Sequence, residues 1–173
     1  MICAPDSPWV YFQNVHDRNL IERVPLEGGT PERIGASLVP NTVNNLGLSV
    51  SRDGKLLAFS LTQSDTQKVQ LAVVDLTGSP AASAARFLDA DARLSDHPEF
   101  TPDGKAIVYA MEIDGVENLW LQPLAGGSPR QITHFARDVF AGYSYAPDGK
   151  TLGVLRFHSD SDVVLLRDSR SSN

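Results

Sequence analysis

The stretch Phe100-Thr-Pro-Asp-Gly-Lys-Ala-Ile-Val-Tyr109 decides the fold, because in it a turn leads directly into an apolar run. Proline presets φ at the first corner of a turn, aspartate hydrogen-bonds its own backbone, and glycine adopts positive φ without a Cβ clash. The run from Ala106 to Tyr109 is short and rich in β-branched and aromatic residues, which is typical of a β-strand. An Asp-Gly pair between two such runs predicts a hairpin.

The same phrase recurs along the chain. It stands again at Asp53-Gly54 and at Asp148-Gly149, and a variant with Ser-Pro in place of Gly-Lys follows Asp6. From Asp6 onward, the aspartates of the phrase are 47, 50 and 45 residues apart. Each copy leads into an apolar run, and some runs are apolar at consecutive positions, which suits strands that are covered on both faces.

A second phrase keeps the same register. Pro25-Leu-Glu-Gly-Gly-Thr-Pro31 matches Pro123-Leu-Ala-Gly-Gly-Ser-Pro129, and the two copies begin 19 and 20 residues after Asp6 and Asp103. Two turn motifs at a fixed mutual spacing predict a structural repeat. A β-sandwich, the rival all-β architecture, would not place the same two turns at fixed spacing again and again.

We interpret each repeat as four strands, A to D, with the Pro-Asp-Gly turn between A and B and the Gly-Gly turn between C and D. In the third repeat, A is expected to end near Phe100, and the other strands to span 106–111, 118–124 and 130–133. A four-stranded unit with this period is typical of a propeller blade. The strand order places the two turns on one face of the propeller and the B–C and D–A loops on the other.

The sequence therefore predicts an all-β fold, a β-propeller segment of about four four-stranded antiparallel blades, with the first and last incomplete. The repeats are expected to span roughly 1–38, 39–88, 89–134 and 135–168 of a single segment 1–173, with a polar C-terminal tail at 169–173. The first repeat is predicted to lack its A strand, because Met1 stands just before Asp6. The last is predicted to lack its D strand, because no Gly-Gly pair follows at its due position.

Incomplete blades leave open sheet edges, which tend to pair with other strands. We therefore interpret the chain as the C-terminal part of a larger propeller that pairs with the upstream part of the same ring. Dimerisation of the isolated piece into one ring is the alternative. The polar ending, Asp168 to Asn173, is interpreted as a natural C-terminus.

Composition excludes several classes of protein. Hydrophobic residues make up 42% of the 173 residues, which is enough to build a core. The net charge of -6 argues against binding to nucleic acid or to an anionic membrane surface. No apolar run is long enough to insert into a membrane, and the first residues lack the basic segment of a signal peptide. The single Cys3 excludes an internal disulfide and a cysteine-rich zinc site.

Three stretches of the third repeat together resemble the WD-like propeller repeat of TolB: Phe100 to Tyr109, Asn118-Leu-Trp-Leu121, and Gly126 to Thr133. Similar repeats occur in the propeller domains of prolyl-oligopeptidase and dipeptidyl-peptidase-type enzymes. They also resemble propellers that follow a serine/threonine kinase domain in bacterial multidomain proteins, and Thr151 to Leu166 is similar to the end of that last group. The resemblance covers nearly the whole chain and implies the fold, while fold alone does not fix function.

The candidate site residues lie on the B–C and D–A loops. All four histidines fall there, and the same loops are rich in aspartate, so the predicted binding face comprises His16, His97, Asp114, His134, Asp138, His158 and Asp160. Function tends to lie on loops that a rigid scaffold holds in place, and ordinary solvated loops are the alternative. No histidine pair has a metal-ligand spacing, and Asp160-Ser161-Asp162 lacks the spacing of an EF-hand loop, so no metal is expected.

Two motifs are interpreted as structural. Gly142-Tyr-Ser-Tyr-Ala146 resembles the G-x-S-x-G nucleophile elbow, but that motif needs a strand–turn–helix context, whereas Ser144 is expected within an A strand. Trp9 and Trp120 stand in strands and are expected to be core aromatics.

These observations predict a non-catalytic binding or sensing module without a cofactor, whose partner is a protein or peptide. With a kinase-linked parent, the segment would be the sensor of a bacterial signalling receptor. The alternatives are a TolB-like partner of an envelope transport system and the substrate-gating propeller of a prolyl-oligopeptidase-type serine peptidase. The resemblance favours an extracytoplasmic location, in the periplasm or at the cell surface. The identity of the partner, the number of blades and the oligomeric state stay open.

Overall fold

The chain folds into four antiparallel β-sheets that follow one another in sequence. The computed structural model describes residues 1–4, 6–14, 16, 20–35, 42–89, 94 and 97–158. Each sheet is a meander in which hydrogen-bonded neighbours are also neighbours in sequence. We name the four sheets blades 1 to 4 in chain order. The described residues contain no helix with the length and apolar content needed to cross a membrane.

The strands of the first two blades are as follows. Blade 1 consists of β1 (Ile2–Cys3), β2 (Trp9–Gln13), β3 (Ile21–Pro25) and β4 (Glu32–Arg33). Blade 2 consists of β5 (Thr42–Val50), β6 (Leu56–Gln63), β7 (Val69–Asp75) and β8 (Ala85–Asp89), with a 3-10 turn at Pro80–Ala82 before its last strand.

The last two blades continue the same order. Blade 3 consists of β9 (Glu99–Phe100), β10 (Ala106–Ile113), β11 (Val116–Pro123) and β12 (Arg130–Gln131). Blade 4 is described by β13 (Val139–Tyr145) and β14 (Leu152–Phe157). The predicted all-β fold of antiparallel blades is confirmed.

The prediction that the first repeat lacks its A strand is wrong. Ile2 pairs with Tyr11 and Cys3 pairs with Val10, so β1 is an A strand of two residues, the same length as β9 in blade 3. A strand this short has no measurable periodicity in the sequence. The predicted absence of a D strand in the last repeat falls on residues 159–173, outside the described residues.

The Pro-Asp-Gly phrase forms a turn with the predicted chemistry. In blade 3, Gly104 has a φ of 66° and Asp103 Oδ1 accepts hydrogen bonds from Thr101 Oγ1 (2.7 Å) and from the backbone N–H of Lys105 (3.1 Å). The Thr101 hydroxyl in turn accepts the N–H of Ala106 at 3.0 Å, which fixes the start of β10. These bonds, chiefly the one from Thr101, lower the pKa of the Asp103 carboxyl below its ordinary value.

In blades 1 to 3, where the structure describes both, the two kinds of turn lie at the same end of the blade, as predicted. A leucine that opens the C–D turn donates its backbone N–H to a carbonyl of the A–B turn at 2.7 Å in blade 1, 2.8 Å in blade 2 and 2.9 Å in blade 3. The three donors are Leu26, Leu76 and Leu124. In these three blades, the B–C and D–A loops therefore share the opposite end.

The core lies between the blades, and the two inner blades are buried on both faces. In β6, Leu57 and Phe59 pack against blade 1, whereas Ala58 between them packs against blade 3. In β10, Tyr109 faces blade 2 and Val108 faces blade 4. Successive side chains of a strand point to opposite faces, so a strand buried on both faces is apolar at consecutive positions.

The two tryptophans pack against these cores, as predicted. Trp9 contacts the cluster between blades 1 and 2, and the guanidinium of Arg23 lies over its ring, 4.0 Å from the centroid. Trp120 contacts the cluster between blades 2 and 3. Both side chains are partly buried, so they fill space at the edges of the blade interfaces.

Candidate functional site

A cavity of about 370 Å³ lies where the A strands of the four blades come together. Its wall is built from β1, β5, β9 and β13 and from the A–B turns of blades 2, 3 and 4. We call it the inner cavity. It is concave because neighbouring blades meet at an angle, so their first strands surround a common space.

Polar side chains of the A strands join neighbouring blades along the wall. Ser49 Oγ accepts the backbone N–H of Phe100 at 3.2 Å, which links blade 2 to blade 3. Glu99 Oε1 accepts the backbone N–H of Tyr145 at 2.9 Å and the hydroxyl of Ser144 at 3.0 Å, which links blade 3 to blade 4. Two of these bonds give an acceptor to a backbone N–H, that of Phe100 and that of Tyr145.

An aromatic stack forms the loop end of the wall. The ring of His97 lies parallel to the ring of Tyr143, with 5.1 Å between centroids and 4° between planes, and the Tyr143 hydroxyl donates to the carbonyl of His97. Gly47 leaves room for this arrangement, because a Cβ at that position would lie 2.2 Å from the Cβ of His97. The backbone of Gly47 has a φ of 55°, which also favours glycine.

The inner cavity has a positively charged side chain, Arg52, at its turn end and a negatively charged one, Glu99, nearer its middle. At the turn end, Arg52 donates from Nη1 to the carbonyl of Pro147 at 2.8 Å, so its guanidinium ties the turns of blades 2 and 4 together. Nearer the middle, Glu99 Oε2 is shielded from solvent and has no hydrogen-bond partner. Burial, and then the negative charges of Glu99 and Asp103, raise the pKa of the Tyr145 hydroxyl.

A second cluster lies on the loop face of blade 4. Asp138, in the D–A loop with a φ of 74°, lies 3.3 Å from the guanidinium of Arg156 and 3.2 Å from Nδ1 of His158. The guanidinium of Arg156 also covers the ring of Phe135 at 3.8 Å and donates to the carbonyl of Arg137. The side chains of Asp138 and Arg156 are largely buried, so this cluster fastens the D–A loop to the end of β14.

The structure separates the predicted site residues into different places. It brings Asp138 and His158 together, and it places His97 at the inner cavity. Asp114 stands in the β10–β11 hairpin turn at a φ of 52°, beside a smaller cavity of about 320 Å³, and His134 is exposed in the loop after β12. His16 is exposed in blade 1, where its backbone N–H donates to Asn14 Oδ1 at 2.9 Å. Asp160 lies outside the described residues.

Sequence reasoning missed the inner cavity, although the repeat carries a signal for it. The residue four positions before the turn aspartate is polar in three repeats: Ser49, Glu99 and Ser144. A polar side chain at one repeat position of an otherwise apolar inner strand indicates a hydrogen bond to the next blade. Comparing the repeats position by position would have identified these residues.

Ser144 lies within β13, paired with Gly153, as expected for a strand residue and not a nucleophile elbow. Its hydroxyl donates to Glu99 and belongs to the wall of the inner cavity. The described residues contain no group of three or more histidine, cysteine, aspartate or glutamate side chains placed to hold a metal ion.

Comparison with solved structures decides the kind of propeller. The structure of a putative TolB from Agrobacterium tumefaciens superposes with a TM-score of 0.65 at 23% identity, over 87% of this chain and 50% of that one. An oligogalacturonate lyase in complex with manganese gives a TM-score of 0.66 at 17% identity, over 91% of this chain and 46% of that one. The fold is a TolB-like β-propeller. At these identities, the likeness to solved structures concerns the fold alone.

Among curated proteins, dipeptidyl-peptidase 5 of Porphyromonas endodontalis is 32% identical over 131 residues, which cover 73% of this chain and 18% of that protein. No protein-family profile matches the chain. The TolB-like propeller segment spans less than a fifth of the length of the curated relatives that it matches: 18% of dipeptidyl-peptidase 5 and 13% of a second relative.

Proposed function

We propose that the chain is the binding part of a longer propeller protein and that it binds a protein or peptide partner in the inner cavity. The observation that carries this proposal is the convergence of four A strands on one concave space of about 370 Å³. Cavities above roughly 300 Å³ with a few convergent polar groups are the usual binding sites of proteins. The described part of the inner cavity combines an apolar wall with Glu99, Arg52, His97 and two tyrosines.

The loop face, which was predicted from the positions of the histidines, is the weaker candidate for the binding site. Its main charged group in the described residues, Asp138, already contacts both Arg156 and His158. A carboxylate that is paired with a guanidinium has less attraction left for a cationic ligand. In the part of the chain that the structure describes, Asp138 Oδ1 and Glu99 Oε2 both lack a hydrogen-bond partner, but the Asp138 carboxylate also has the guanidinium of Arg156 at 3.3 Å.

Binding without catalysis is the role that we propose for this segment. Ser144 supports it, because this serine lies inside a strand and not at a strand–helix turn, where the nucleophile elbow needs it. A sensing role in a signalling receptor would use the same cavity, and binding of the partner would change the conformation of the rest of the parent protein.

A second candidate follows from the match to dipeptidyl-peptidase 5, which covers 73% of the chain. In this reading, the inner cavity belongs to a propeller that restricts access of peptides to a catalytic domain elsewhere in the parent. The full-length parent protein decides between the two. Hydrolysis of chromogenic dipeptide substrates by the purified parent favours the peptidase, and its absence favours a purely binding or envelope role.

We also propose that another propeller blade covers the open face of blade 4. Side chains of β14 alternate between two faces: Leu152 and Val154 pack against blade 3, whereas Leu155 and Phe157 are 65% and 48% exposed. In blades 2 and 3 the equivalent faces are covered by the next blade. The upstream part of the same propeller, or a second copy of this chain, would supply that cover.

The binding proposal is tested by nuclear magnetic resonance on the isotopically labelled chain. Titration with a degenerate mixture of short peptides is expected to shift the backbone amide signals of Ser49, Glu99 and Tyr145. The signals of Asp138 and His158 serve as the internal comparison on the loop face. Shifts confined to the loop face, or no shifts at all, would reject the inner cavity as the binding site.

A further inference from the structure

The inner cavity carries a charge that its structural role does not require. At the repeat position four residues before the turn aspartate, blade 2 has Ser49, and its single hydroxyl oxygen is enough to accept the N–H of Phe100. Blade 3 has Glu99 at that position, and Oε1 alone accepts both donors from blade 4. The second carboxylate oxygen and the negative charge are therefore additional to the contact between blades.

The additional oxygen lacks a partner. Glu99 Oε2 is shielded from solvent and accepts no hydrogen bond in the described part of the chain. Withdrawing a carboxylate oxygen from water without a hydrogen bond is unfavourable, and such groups are uncommon in folded proteins. A ligand that donates to Oε2 would remove this penalty, so the empty position favours a donor.

The surroundings of Glu99 favour a positively charged donor. Burial, and then the negative charges of Glu99 and Asp103, raise the pKa of the Tyr145 hydroxyl, so two negative charges act on this part of the wall. The positive charge of the cavity, Arg52, is held at the turn end by the Pro147 carbonyl.

We propose that Glu99 is the acceptor for a basic side chain, lysine or arginine, of the peptide or protein that enters the inner cavity. The proposal rests on the function proposed above. An ammonium or guanidinium group that enters the cavity donates an N–H to this carboxylate. Charge-assisted hydrogen bonds of this kind are about twice as strong as neutral ones.

The test uses short peptides with blocked termini that differ only in their central residue, which is lysine, norleucine or glutamate. Blocked termini ensure that the only cation is the lysine side chain. Dissociation constants come from the shifts of the inner-cavity amide signals of the whole chain. We expect the lysine peptide to bind about tenfold more tightly than the norleucine peptide, and the glutamate peptide to bind most weakly.

The Glu99→Gln variant keeps an oxygen for the N–H of Tyr145 and removes the charge. It is expected to bind the lysine and norleucine peptides equally. The matched control is Glu112→Gln, which removes the same charge from an exposed position on β10 outside the cavity. This control is expected to retain the preference for lysine.

Two results overturn the inference and leave the proposed function standing. One is equal binding of the three peptides by the unsubstituted chain, and the other is a preference for lysine that survives Glu99→Gln. Absence of any peptide-induced shift at the inner cavity overturns the proposed function itself. The unsubstituted chain alone provides a further measurement that does not depend on the folding of a variant. Added salt is expected to weaken lysine binding more than norleucine binding, and equal salt dependence contradicts the inference.

Discussion

His97 and Tyr143 join blades 3 and 4 through a parallel ring stack at 5.1 Å and through a hydrogen bond from the tyrosine hydroxyl to the histidine carbonyl. His97 precedes β9, and Tyr143 stands in the middle of β13. The pair therefore fixes the point at which the loop between blades 2 and 3 ends and β9, the A strand of blade 3, begins. It also gives the inner cavity a rigid aromatic end.

The two parts of this contact are separable by substitution. Tyr143→Phe removes the hydroxyl and leaves the His97 carbonyl without that donor, so we expect a loss of about 1 kcal/mol in the free energy of unfolding. Tyr143→Leu also removes the stack and is expected to cost about 0.5 to 1.5 kcal/mol more. Urea denaturation measures both. Equal stability of the phenylalanine variant and the parent would show that the hydroxyl contributes nothing.

A buried carboxylate makes a second link between the same two blades. Glu117 is 7% exposed, its Oε2 accepts the backbone N–H of Phe140, and its own N–H donates to the Asp138 carbonyl at 3.2 Å. Glu117→Ala leaves a buried N–H without a partner, and we expect a loss of about 1 to 3 kcal/mol. Glu117→Gln keeps an acceptor oxygen and should lose less.

The control for this prediction lies directly across the hairpin. Glu112 pairs with Glu117 in the β10–β11 register and is exposed. Like charges opposite each other in a sheet are unfavourable, so Glu112→Ala is expected to leave stability unchanged or to raise it slightly. The denaturation midpoints of Glu117→Ala, Glu117→Gln and Glu112→Ala, measured together, test this role of Glu117. A loss of stability in Glu112→Ala similar to that in Glu117→Ala would contradict it.

The turn aspartates predict an acid dependence of stability. Hydrogen bonds from the Ser51 and Thr101 hydroxyls, and then from backbone N–H groups, lower the pKa of Asp53 and Asp103 in the folded chain. Their stabilising contribution is complete above the pKa of the unfolded chain and is lost as the pH falls through the lower folded value. The Asp103→Asn variant should therefore be less stable than the parent at neutral pH and approach it in acid.

Blade 4 provides the comparison for this measurement. Ala146 stands where Ser51 and Thr101 stand in the turns of blades 2 and 3, so Asp148 has no hydroxyl donor at that position. Asp148→Asn is expected to change the pH profile less than Asp103→Asn does. Urea midpoints between neutral pH and strong acid give both profiles, and parallel curves for Asp103→Asn and the parent would refute the prediction.

The turns were predictable because their chemistry is local. Each hydrogen bond of the Thr101 to Ala106 turn joins residues at most five positions apart, and the residues that form it appear in the sequence as a repeated phrase. The strands adjoining those turns followed from apolar runs. The two-residue strand β1 escaped prediction because its pairing with β2 has no pattern of its own in so few residues.

The inner cavity was harder to predict because its contacts join different blades. The bond from Phe100 to Ser49 spans 51 positions, and the bond from Tyr145 to Glu99 spans 46. Loop membership placed His97 on the loop face, whereas its ring stacks on an A strand of the next blade. Which side chain of an A strand faces the inner cavity depends on how neighbouring blades are arranged. The sequence of a single repeat does not determine that arrangement.

The open face of blade 4 predicts association of the isolated chain. Leu155 and Phe157 are exposed on the face of β14 opposite to blade 3. Replacing both with lysine is expected to convert an associating chain into a monomer in light scattering, with little change in denaturation midpoint, because neither side chain packs in the core between blades 3 and 4. Leu26 is the matched control, since it is 65% exposed like Leu155 but lies in a turn of blade 1. Leu26→Lys should leave association unchanged, and a parent chain that is already a stable monomer would count against pairing through this face.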